Sequence, residues 1–72
     1  MEYRLIHKTG GKKAKSPTKF YNIASIGRQV MIHFGKIGTE GRLKVRKFTK
    51  KVLAAEFVKR KAERKLARGY SA

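Results

Sequence analysis

Cysteine, aspartate and tryptophan are absent from these 72 residues, and proline occurs once, at Pro17. Without cysteine there can be no disulfide, zinc ribbon, iron–sulfur cluster or thiol nucleophile, and nothing points to secretion. Acid is scarce too. Four glutamates (Glu2, Glu40, Glu56 and Glu63) face 20 lysines and arginines, leaving a formal net charge of +16. No apolar run approaches the roughly 20 residues of a membrane span, and the N-terminus has no apolar stretch of signal-peptide type. Apart from the lysines and three tyrosines, two histidines and the four glutamates are the groups left for acid–base chemistry, so the composition argues against an enzyme. With no Cys, no Asp and His7 far from His33 in sequence, a metal site is not expected. Nor is a cofactor.

What is present describes a chain that folds. Hydrophobic residues make up 40%, including seven aromatics, where a disordered basic tail would have almost none. A charge of +16 opposes compaction and must be offset by a core or by a polyanionic partner. One domain over 1–72 is expected. Residues 2–8 alternate as an edge strand, with Tyr3, Leu5 and His7 on one face and Arg4, Ile6 and Lys8 on the other. Residues 9–18 hold Gly10-Gly11, Ser16-Pro17 and three lysines, and read as a flexible basic loop. Those lysines suit either a nucleic-acid finger or a solvated loop. Lys19 to Ile26 and Val30 to Phe34, separated by Gly27-Arg28, read as a hairpin.

Glycine then recurs at every third position, in Gly35, Gly38 and Gly41, marking a tight exposed connection. In Arg42-Leu43-Lys44-Val45-Arg46, alternation assigns Leu43 and Val45 to the core and the three cations to solvent. Phe48 breaks that parity, which implies a bulge or a strand end near Lys47. Thr49 is a candidate N-cap for a helix over about 50–68, with Phe48 and Leu53 at staple spacing. The helix stripe is Ala54, Val58, Ala62 and Leu66, widened by Ala55 and Phe57, and Gly69 suits a left-handed C-terminal stop. The expected fold is α+β: an antiparallel sheet of about four strands with one C-terminal helix across it.

Charge location supplies the first functional reading. From Arg42 to Arg68 there are twelve lysines and arginines against Glu56 and Glu63. Such a run suits phosphate contacts that are steeply salt-dependent and largely blind to base sequence. The plainer alternative is a solvated helix face. Lys50 and Lys51 occupy the first helical turn, where the macrodipole disfavours cations, so that turn is a candidate phosphate site or a tolerated penalty. Gly35-Lys36-Ile37-Gly38 has the GXXG form of a KH loop, but a strand precedes it where KH domains have a helix. A P-loop needs Ser or Thr after Gly-Lys, and here Ile37 follows. His33 reads as a structural or exposed strand histidine.

Taken in order, Lys19-Phe20-Tyr21, Phe34-Gly35-Lys36-Ile37-Gly38, Gly41-Arg42, Phe48 and Lys65-Leu66-Ala67-Arg68-Gly69-Tyr70 resemble the WGR domain, a family found in poly(ADP-ribose) polymerases and in bacterial proteins. The resemblance spans 19–70. Phe34 stands where the family's Trp is usual, and Lys36 where its Arg is usual. The resemblance implies a module that binds DNA breaks, with the aromatic residue packing on a terminal sugar. Phe34 offers a smaller ring without the indole N–H, and Lys36 keeps the charge without the planar fork. Phe34 also shares strand parity with Val30 and Ile32, so it reads equally as a core or rim aromatic.

The expected activity is non-catalytic binding of double-stranded DNA through phosphates and sugars, and the resemblance implies a preference for ends or nicks. Phe34, Lys36, Arg42, Lys44 and Arg46 would carry it, supported by Lys19, Lys50 and Lys51, with Gly35, Gly38 and Gly41 shaping the loop. The expected location is the cytoplasm, on the nucleoid if the source is bacterial. One alternative is an RNA-binding or ribosome-associated protein that stacks bases on exposed Tyr21, Phe34 or Tyr70. The other is a module that docks on an acidic protein.

Overall fold

The computed structural model describes residues 1–8 and 17–72. It contains β1 (Glu2–His7), β2 (Lys19–Ile26), β3 (Gln29–Lys36), β4 (Arg42–Lys47) and the helix α1 (Lys51–Ala67). The strands form one antiparallel meander in the order β1-β2-β3-β4. This is the α+β arrangement expected. Residues 9–16 of the basic loop lie outside the described residues. At the base of that connection the Thr18 N–H donates to the His7 carbonyl at 2.9 Å. The β2–β3 turn is two residues long, because Ile26 pairs with Gln29, and Gly27 takes φ 62° at the position a type II′ turn reserves for glycine.

The helix crosses β1, β2 and β3 and scarcely meets β4. Leu5, Tyr21, Ile23 and Val30 from the sheet are buried against Ala54, Val58 and Ala62 from α1. Burying each of the larger aliphatic side chains contributes about 1.5–3 kcal/mol. The alanines let the helix backbone approach the strands closely. At its C-terminus, Gly69 adopts φ 98°; its N–H donates to the Leu66 carbonyl at 3.2 Å, and the Tyr70 N–H to the Lys65 carbonyl at 3.1 Å. That is a Schellman stop, as the glycine implied.

Three expectations need correction. Cross-strand partners share a face of the sheet, and β4 registers Arg42 with Phe34, Lys44 with Ile32 and Arg46 with Val30. The three cations therefore lie on the helix side. Leu43 and Val45 lie on the opposite side, 60% and 51% exposed. Phe48 has the same parity as Arg46, so no bulge is needed: the strand ends at Lys47, and the Phe48 ring meets Phe57 with centroids 5.2 Å apart. Second, Leu66 is 43% exposed. Steps of four residues advance about 40° beyond full turns, so the stripe rotates off Leu66 and brings half-buried Lys61 and Lys65 towards the sheet. Third, Lys50 is the N-cap, in extended conformation and without a side-chain capping bond, so Thr49 does not cap the helix.

Candidate nucleic-acid interface

The helix covers three strands of a four-stranded sheet, and a trough is left between α1 and β4. Its floor is the helix-side surface of β3, where Ile32 and Phe34 are half-buried. Lys44 and Arg46 form the β4 side, and Phe57, Lys61 and Lys65 form the helix side. The depression holds about 460 Å³ and, among the described residues, no carboxylate lines it.

Cations in the trough rest on aromatic rings. Lys44 Nζ lies 5.5 Å from the Phe34 centroid. The Arg46 guanidinium lies 5.2 Å from Phe48 and 5.0 Å from Phe57, and Lys61 Nζ is 5.5 Å from Phe57. Lys65 Nζ sits 4.8 Å from Tyr21 and 5.4 Å from Tyr70. Each such contact is worth about 0.5–1 kcal/mol at an exposed site, which holds long side chains in place without neutralising them. Lys65 holds its proton less tightly than an ordinary lysine. Partial burial is the main cause, followed by repulsion from Arg68, Lys61 and Lys19. The Tyr21 hydroxyl is shifted the other way, first by burial and then by Tyr70.

The trough opens towards the end of the sheet where Lys19 pairs directly with Lys36. Like charges opposite one another in a sheet repel, and this pair lies on the helix side with Phe34 and Arg42. The loop beside them is held in shape by close packing. A Cβ at Gly35 would stand 2.7 Å from Gly41 Cα, and a Cβ at Gly41 would stand 2.5 Å from the Phe34 carbonyl oxygen. Gly38 turns the chain at φ 92° in open space. His33, on the far face, donates from Nε2 to the Glu40 carbonyl at 2.5 Å and packs its ring on Phe20. It is a structural tie for the loop.

The structure thus gathers Lys19, Phe34, Lys36, Arg42, Lys44 and Arg46 on one surface. Lys50 and Lys51 are at the opposite end of the sheet, where β4 finishes, roughly 20 Å from Lys36 by strand length. Tyr21 is only 7% exposed and Tyr70 half-buried, so neither is the open stacking platform expected of them. The helix wall was missed from sequence, although Phe57, Lys61 and Lys65 follow one another at four-residue intervals along a single stripe. Among the described residues no group of three or more His, Asp or Glu is placed to hold a metal ion, and no helix is long and apolar enough to cross a membrane.

No curated protein resembles the chain closely enough to count as a relative. Among solved structures, a structural-genomics crystal structure of a protein from Bacteroides fragilis matches with a TM-score of 0.82 and 27% identity over 97% of this chain. The match spans 18% of that longer chain. The WGR domain model matches residues 4–72, and so takes in most of β1 as well as the 19–70 region carrying the motifs. In poly(ADP-ribose) polymerases such domains are modules of the nucleic-acid-binding type, which accords with a trough walled by cations and free of acid. With that match running over almost its whole length, the chain belongs to the WGR domain family.

Proposed function

We propose that this chain is a non-catalytic DNA-binding module that grips the sugar–phosphate backbone with the helix side of its sheet and prefers duplex ends or nicks. One observation carries the reading. Lys19, Lys36, Arg42, Lys44 and Arg46 converge on the surface that holds Phe34, and Lys61 and Lys65 face them across a trough without a carboxylate. Phosphates would lie against the cations, and Phe34 at the trough floor would meet an exposed sugar. The preference for ends rests on that placement and on kinship with the family. Little base specificity follows, because contacts to phosphate and sugar carry no sequence information.

The test is fluorescence anisotropy across a salt series. A duplex with open, 5′-phosphorylated ends is compared with the same duplex closed by hairpin caps. Tighter binding to open ends is expected. Replacing Lys44 and Arg46 together with Gln should flatten the dependence of log affinity on log salt by about two units. An unchanged slope would remove both residues from the interface. Single-stranded RNA displacing the duplex at equal concentration would favour the RNA alternative.

A further inference from the structure

Resting on the DNA reading, we infer that the trough between β4 and α1 accommodates one strand, so that the ligand it recognises best is a single-stranded DNA extension from a duplex. The shape of the site carries this. The helix stands on the sheet as a wall about 10 Å across, and the floor between it and the β4 cations is the helix-side surface of β3, one strand spacing of about 5 Å from β4. A duplex is wider than that slot. It would rest on the outer ridge of α1 and the edge of β4, above Ile32 and Phe34. One strand can descend to them.

The two walls match the chemistry of one strand. Lys44 and Arg46 are two strand residues apart, about 6.8 Å. Lys61 and Lys65 are one helical turn apart, about 6 Å along the axis. Both intervals are close to the span between successive phosphates along a single backbone. Between the cation rows the floor is apolar and aromatic, the surface on which sugars and bases lie when phosphates turn outward. The cations are already parked above rings, so the rows are in place before the ligand arrives. Among the described residues no carboxylate lines the trough, so the repulsion between the cations of this wall is not offset there. A phosphate would relieve it.

Labelled hairpin-capped duplexes, one blunt and one with a six-nucleotide single-stranded DNA extension, would be titrated with the full chain at fixed salt. The extension is expected to tighten binding at least tenfold. Lys61→Gln with Lys65→Gln should bring the ratio of the two affinities close to one. A control with the same loss of charge away from the trough, Lys47→Gln with Lys59→Gln, should leave the ratio intact. Circular dichroism would confirm that both variants fold. Equal binding of both DNAs by the unmodified chain would overturn the inference and leave duplex binding standing, as would an unchanged ratio in the trough variant. No binding to either DNA would overturn the DNA reading itself. Tighter binding of an RNA oligonucleotide than of the DNA extension would overturn the choice of DNA.

Discussion

The two faces of the sheet are made from the same strands and use charge in opposite ways. On the helix side, Arg42, Lys44 and Arg46 stand beside a covered core and point their charge at an open trough. On the other side, Met31, Leu43 and Val45 form an apolar surface at whose rim Arg4 pairs with Glu2 at 3.5 Å. A protein seeking only to be soluble would place its cations on the uncovered face and its apolar residues under the helix. Here β4 does the reverse. The arrangement costs stability on both faces, through repulsion on one and exposed apolar area on the other. A phosphate-bearing ligand offsets the first cost.

The largest expected effect strikes both faces at once. Gly41 has φ 70°, and a Cβ there would meet the Phe34 carbonyl oxygen at 2.5 Å on one side and Phe20 Cζ at 2.8 Å on the other. Gly41→Ala should therefore destabilise the domain by about 3 kcal/mol, combining left-handed strain with overlap against backbone. Gly38 has φ 92° with nothing within 4 Å, so Gly38→Ala carries the strain alone and should cost about 1 kcal/mol. Urea denaturation of the two variants separates the terms. Equal losses would mean that the loop yields to the added atom, and that its close packing does not set the position of Phe34.

A second comparison exchanges the faces of β4. Replacing Leu43 and Val45 together with Gln should change stability by no more than about 0.5–1 kcal/mol, since both are exposed on the uncovered face, and should leave the salt slope of DNA binding unchanged. Were these residues in the core, the same pair would cost several kcal/mol. Equilibrium melts with anisotropy on the same samples decide it.

That β4 is read inside out from sequence has a specific cause. Alternation fixes which residues share a face but not which face is covered, and a one-residue change of frame inverts every side chain. The usual assumption, apolar in and charged out, fails because the helix does not reach β4 and no core exists beneath it. Phe48 held the correcting signal: it joins the frame of Arg42, Lys44 and Arg46, and that frame is the helix side. Strands, hairpin, glycine loop and helix stop were legible because each rests on local chemistry. The trough was half legible. Its strand wall follows from a run of cations, whereas its helix wall depends on how α1 rotates over the sheet, and the drift that exposes Leu66 also turns Lys61 and Lys65 inward. That is a tertiary result.

The smallest effect concerns the two ends of the surface. Lys50 and Lys51 begin a helix that has no acidic residue in its first turn and no side-chain cap, with cations at the positive end of the dipole. Lys51→Glu exchanges an unfavourable interaction for a favourable one and should stabilise the domain by about 0.3–1 kcal/mol at low salt, raising Tm by roughly 1–8 °C. Added salt should shrink the gain, because the site is exposed. The distance from the trough to the helix start then becomes measurable. With the DNA-binding surface centred on Phe34 and the trough, the variant should keep the salt slope of the unmodified chain while melting higher. A slope lower by about one unit would place a phosphate at the helix start. The basic surface would then run the length of β4, and the lysines would stand in the first turn because a bound anion, absent from the free protein, completes the cap.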